Sequence, residues 1–141
     1  MEKFVFFEHT ADVLFEAHGK TLEECVENCA QAMFTIMSKP RLLKKSKKAV
    51  VKQKSGNLEE LVVFLLDQLI TESDTRQVFW KDFKVKSFKH PKGVFSIEGV
   101  ARGSDYTLKA AGTHVKAVTM HRAKVWKDEK GEWNARIVLD I

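Results

Sequence analysis

The spacing of apolar positions changes repeatedly along the chain, and each change predicts an element. Residues 3–8 (KFVFFE) are rich in β-formers. After the HTAD tetrapeptide, residues 13–17 (VLFEA) alternate, which places Val13, Phe15 and Ala17 on one face of a second strand that Gly19 stops. Thr21 followed by Glu24 makes a capping box, and Leu22, Cys25, Val26, Cys29, Met33, Ile36 and Met37 then recur at helical spacing. That helix is expected to end near Ser38, because Pro40 disfavours the helical conformation at Lys39. Residues 45–54 read as a strand centred on AVV. Asn57 with Glu60 caps a second helix, with Leu58, Leu61, Val62, Leu65, Leu69 and Ile70 as its stripe. Val63, Phe64 and Leu66 widen that stripe, so this helix should be deeply buried.

From Val78 onward the pattern is that of strands. Residues 79–89, 93–102, 107–120, 123–127 and 133–139 are expected to be strand-rich, with turns at Gly93 and at residues 128–131. The predicted class is α+β: a two-layer fold in which two or more amphipathic helices pack on one face of a largely antiparallel sheet.

Composition narrows the function. A chain of 141 residues, 44% hydrophobic and 30% charged, is neither disordered nor fibrous and suits a single domain over residues 1–141. Its longest apolar run, residues 61–66, is far too short to span a membrane, and the N-terminus lacks the pattern of an export signal. Two Cys and no export signal give the expectation of a reducing, cytoplasmic setting. The formal charge of +5 is local: residues 39–54 (KPRLLKKSKKAVVKQK) carry basic side chains and no acid, while the remainder is mildly acidic. Arg41, Lys44, Lys45, Lys47 and Lys48 are the candidate anion-binding patch, for RNA phosphates or an acidic protein face. The competing reading is a solvated loop and edge strand, favoured by the absence of aromatic residues among the lysines.

Candidate chemistry lies near the chain ends. His9-Thr10-Ala11-Asp12 forms a short turn between two strands, where Asp beside Thr either caps backbone N–H groups or serves a site. The last residues, Ile137-Val138-Leu139-Asp140-Ile141, form an apolar strand that would hold the Ile141 carboxylate beside that of Asp140. Two such anions repel unless a cation or donors neutralise them. With Asp12 they would form a hard oxygen set suited to Ca²⁺, Mg²⁺ or Mn²⁺, and His9 or His121 nearby would tilt the choice to Mn²⁺ or Zn²⁺. This requires the strands bearing Asp12 and Asp140 to be neighbours.

In residues 116–121 (KAVTMH), Lys116, Val118 and Met120 share one strand face and Ala117, Thr119 and His121 the other. Lys116 either snorkels or pairs with an acid, and His121 is a ligand, a base or a surface residue. Cys25 and Cys29 fit the apolar stripe and read as core, as do Phe79, Trp80, Phe83, Phe88 and Phe95 in the sheet. The chain carries no P-loop, dinucleotide-binding glycine fingerprint or nucleophile elbow.

The HTAD turn with its strand and GKTLEE, the KAVT-x-H segment, the apolar helix over residues 58–70 and the terminal VLDI together resemble the archease family over nearly the whole chain. The resemblance implies a non-enzymatic accessory protein of an RtcB-type RNA ligase in tRNA splicing. Such a protein promotes guanylylation of the ligase's active-site histidine and its multiple turnover. A chaperone role toward RNA-modifying enzymes such as a tRNA methyltransferase is the alternative. The resemblance also implies a divalent-metal site, calcium among the candidates, at Asp12, Asp140 and the carboxylate of Ile141. His9, Lys116 and His121 match motif positions for ligase contact or support of the site. Met120 stands where relatives often have Tyr. The implied partners are the ligase, tRNA or a tRNA-modifying enzyme, with no membrane. A metal-dependent hydrolase and a plain RNA-binding module are the competing classes.

Overall fold

The computed structural model describes residues 2–8 and 12–141. Among the described residues, seven strands and two α-helices run β1 (Phe4–Glu8), β2 (Asp12–Gly19), α1 (Leu22–Met37), β3 (Lys47–Ser55), α2 (Leu58–Arg76), β4 (Val78–Lys89), β5 (Phe95–Asp105), β6 (Ala117–Lys127) and β7 (Trp133–Asp140). Both predicted caps form. Thr21 Oγ1 accepts from the Glu24 N–H at 3.1 Å and Asn57 Oδ1 from the Glu60 N–H at 2.7 Å, each satisfying a donor the first turn cannot. The helix α2 continues past its apolar stripe through a polar last turn, where Glu72 and Arg76 pair at 2.7 Å. It ends on left-handed Gln77.

The fold is α+β, and every strand pairing is antiparallel. The expected sheet is in fact two sheets, ordered β1-β2-β7-β6 and β3-β5-β4. Helix carboxylates help keep them apart. On α2, Asp67 accepts the Val118 N–H at 2.9 Å and Glu59 the Val125 N–H at 2.8 Å, both from the free edge of β6. On α1, Glu27 accepts the Val85 N–H of edge strand β4 at 2.9 Å. Donors that could have paired with another strand are thus used by the helices. Helix α1 lies against β2 and β4 and α2 against β3 and β6, so each helix joins both sheets to one core. At its centre Trp80 is buried, and its indole N–H reaches the Leu69 carbonyl at 3.1 Å.

Two expectations about β6 are corrected. Residues 107–116 are not strand, because their hydrogen bonds go to the C-terminal end of α1. The N–H groups of Gly112 and Thr113 donate to the carbonyls of Met37 and Ile36 at 3.0 and 2.8 Å, and Ala110 O accepts from Lys39 N–H at 2.9 Å. The segment satisfies carbonyls that the helix end leaves open. Residues 117–120 and 123–127 belong to one strand with an irregular register between Thr119 and Lys124, where Arg122 is left-handed (φ 63°).

The Asp67 bridge yields a stability prediction. Burial holds its carboxyl above the ordinary range, against the opposing pull of the Val118 N–H. Because the folded value is raised, the group's contribution is fullest below the unfolded carboxyl value and is lost as pH rises through the folded one. Asp67→Asn keeps the acceptor without a partly buried charge, so it should melt at or slightly above the parent at neutral pH and converge with it in acid. Asp67→Ala leaves the Val118 N–H unpaired and should cost about 1–3 kcal/mol. Thermal unfolding across pH checks this, and an Asn variant less stable than the parent at neutral pH would contradict it.

Candidate functional site

The long pairing of β2 with β7 sets the site. Asp12 opens β2 and Asp140 closes β7, and the register makes them direct cross-strand partners. On the far side of β7, Asp140 faces Ala117 of β6, and the Lys116 N–H donates to the Asp140 carbonyl at 2.8 Å. Strand alternation then brings Thr119 and His121 toward the same place. Asp12, Thr119, His121, Val138 and Asp140 line one shallow cavity of about 270 Å³. Val138 forms its buried apolar floor, while Asp140 and His121 are exposed. The His121 N–H donates to Thr119 Oγ1 at 2.9 Å, which ties down the irregular stretch of β6 beside the carboxylates.

The two aspartates are therefore adjacent, the condition that sequence alone left open. Like charges opposite one another in a sheet are unfavourable unless neutralised. The donors in this cavity are hard oxygens and one imidazole, which suits a hard divalent cation in kind. Among the described residues, no group of three His, Cys, Asp or Glu side chains converges to hold a metal. A complete set would need a further donor. His9, with the rest of the HTAD turn before Asp12, lies outside the described residues. Ile141 packs against the core by its side chain, directly after Asp140. Lys116 is exposed just before β6. Thr119 was not singled out as a site residue from sequence, although the alternation of Ala117, Thr119 and His121 carried the signal.

Other sequence candidates lie elsewhere. Cys25 and Cys29 are fully buried free thiols in the core, and the Cys29 thiol is pushed up by its hydrogen bond with Cys25 and by burial. Trp80 and Phe83 are buried, and Phe88 stacks on Phe95 at 6.1 Å, as sheet packing requires. Arg41, Lys44, Lys45, Lys47 and Lys48 are exposed on and before edge strand β3, away from the carboxylate cavity. A larger open cleft of about 780 Å³ lies at the opposite end of β2 and β7, lined by His18, Trp126, Asp128 and Asn134 among others. Its polar groups satisfy one another: His18 Nδ1 and Asn134 Oδ1 are 2.6 Å apart, and Asn134 Nδ2 donates to Asp128 at 3.1 Å. Among the described residues, no helix is long and apolar enough to cross a membrane.

Fold and site together define an α+β protein whose strands β2 and β7 carry a carboxylate pair into one surface cavity. The model of the Archease protein family (MTH1598/TM1083) matches residues 4–141. The protein archease of Methanosarcina barkeri is 33% identical over 142 residues, covering 99% of this chain and 97% of that protein. The archease of Pyrococcus furiosus is 31% identical with all of both chains covered. The solution structure of Methanobacterium thermoautotrophicum protein 1598 superposes with a TM-score of 0.85 at 34% identity, covering 100% of both chains. A crystal structure of an archease from Thermotoga maritima, described as a possible chaperone, shares the fold with a TM-score of 0.61 at 19% identity, over 96% of this chain and 94% of that one. The chain belongs to the archease family.

Proposed function

We propose that this protein is a non-enzymatic activator of an RtcB-type RNA ligase in tRNA splicing, promoting guanylylation of the ligase's active-site histidine and its repeated turnover. The observation that carries the reading is the cross-strand placement of Asp12 against Asp140 in an open cavity. Asp12, Asp140 and the Ile141 carboxylate would hold a divalent cation, Ca²⁺, Mg²⁺ or Mn²⁺. When bound, such a cation supplies a local positive charge able to meet phosphate oxygens. The chain's own part is positional. The β2–β7 ladder fixes both aspartates, the Lys116 N–H anchors the Asp140 backbone, and Thr119 orients the turn that carries His121. The cavity is open at the surface, and Met120 of β6, outside its lining, is half-exposed.

The test is guanylylation of a cognate ligase with GTP, with and without this protein, in single and multiple turnovers. The expected result is faster guanylylation and many turnovers in its presence. Equal progress curves would sink the proposal.

A second reading, a chaperone of RNA-modifying enzymes, draws on the description of the Thermotoga maritima relative as a possible chaperone. Exposed Phe7 and Met120 on the four-stranded sheet would serve it. It predicts protection of a tRNA methyltransferase from thermal aggregation that survives loss of Asp12.

A further inference from the structure

We propose that the uncovered face of the sheet β3-β5-β4, with the segment 39–46 held beside it, binds the sugar–phosphate backbone of a folded RNA. The helices pack on the other face of this sheet, through Ala49, Val51, Phe83, Ile97 and Ala101. Many outward positions are cationic, and they come from all of its strands rather than from the basic segment alone. Lys45, Lys48, Lys86 and Arg102 line one cavity of about 500 Å³ with Ser46 and Val100. Among the described residues no acid lines it. A neighbouring cavity of about 330 Å³ shares Lys48 and adds Lys47 and Arg76, with Asp105 also in its wall. The register continues the charge along the face. Lys84 lies opposite Val100, and Lys54 and Lys89 flank Ser96 from either side.

Two acids of this face are ion-paired, Asp82 through Oδ2 with Lys45 at 2.9 Å and Glu98 with Lys52 at 3.2 Å, and Asp105 stands in the wall of the neighbouring cavity. Among the described residues Lys48, Lys86 and Arg102 have no carboxylate within ion-pair distance, so their charge faces solvent and favours an anionic partner.

The surface is also preorganised. Lys81 Nζ donates to the carbonyls of Pro40 and Leu43 at 3.0 and 2.8 Å, clamping the basic segment to β4. The Lys44 N–H donates to Ser104 Oγ at 3.0 Å, fixing it to β5 as well. The cations thus lose little backbone freedom on binding. Central Val50 is 54% exposed, and among the described residues neither cavity is lined by an aromatic side chain that could stack on bases. Contact would therefore be with phosphates, without sequence preference. The choice of RNA over other polyanions rests on the proposed ligase role; the cationic face does not.

The experiment is fluorescence anisotropy of a labelled RNA hairpin titrated with the full chain. With about four phosphates neutralised, affinity should fall about a hundredfold between about 50 and about 200 mM salt. Lys48→Glu with Lys86→Glu should lower affinity at least about tenfold and flatten the salt slope by about two. Lys130→Glu in the β6–β7 turn and Asp12→Ala should leave RNA binding unchanged. Absent binding, a slope near zero, an unchanged affinity in the double charge reversal, or tighter binding of poly-glutamate or phosphatidylserine vesicles than of the hairpin at equal salt would overturn the proposal. Ligase guanylylation in the absence of RNA should be indifferent to the double charge reversal, so failure here and failure of the ligase role are read separately.

Discussion

Replacing Gly103 with Ala should lower the melting temperature by about 10 °C, the equivalent of about 3 kcal/mol for a chain of this size. Gly103 lies in β5, the central strand of its sheet, opposite Lys47 on one side and Trp80 on the other. A Cβ there would stand 1.9 Å from the Phe79 carbonyl oxygen and 2.8 Å from the Trp80 Cα. These are backbone atoms, so no rotamer change relieves the clash. Strand β4 must shift away where its register already slips between Trp80 and Asp82. That shift would pull Trp80 from its contact with the Leu69 carbonyl and open the core between α2 and the sheet. Gly56 provides the control. Nothing lies within 4 Å of a Cβ built there, so Gly56→Ala should be neutral or stabilising by a few tenths of a kcal/mol through the unfolded chain. Thermal unfolding of both variants decides the matter, and a Gly103→Ala protein melting with the parent would contradict the packing described.

Loss of the carboxylate pair should have the larger functional effect. If Asp12 and Asp140 supply oxygen ligands to one divalent cation, removing either should weaken its binding at least about a hundredfold, since even outer partners of metal ligands are worth about 10- to 100-fold. Asp12→Ala and Asp140→Ala change side chains only. The backbone pairing of β2 with β7 is independent of them, and both sites lie at strand ends away from the core. Adding one residue after Ile141 removes the chain-end carboxylate from its place and should weaken binding similarly. Calorimetric titration with Ca²⁺, Mg²⁺ and Mn²⁺ measures all three. Unchanged affinity in the extended chain would show that the chain end is not a ligand, and unchanged affinity in both alanine variants would remove the site altogether.

Local chemistry was readable in the sequence, and long-range closure was not. Thr21 and Asn57 cap as their spacing with Glu24 and Glu60 requires, because a cap is satisfied within one turn. The burial of Cys25, Cys29, Leu61 and Leu65 follows from periodicity alone. The division into two sheets was hidden, since it depends on Glu27, Asp67 and Glu59 reaching strand edges 51 to 66 residues away. Residues 107–116 misled because their apolar and small side chains resemble a strand while their hydrogen bonds serve α1. At the site, the terminal motifs pointed to Asp12 and Asp140, but only the β2–β7 register brings them face to face. Likewise the basic segment was legible as a local run, whereas Lys86 and Arg102, far along the chain, join it only through strand pairing.

The proposed ligase activation depends on this carboxylate pair. Its most direct measurement is single-turnover guanylylation of the cognate ligase at limiting divalent metal, comparing the parent with Asp12→Ala after circular dichroism has confirmed equal folding. The parent should accelerate guanylylation and the variant should lose at least about nine-tenths of that acceleration, as a loss of about 1.4 kcal/mol or more requires. Full stimulation by a folded Asp12→Ala protein would contradict it.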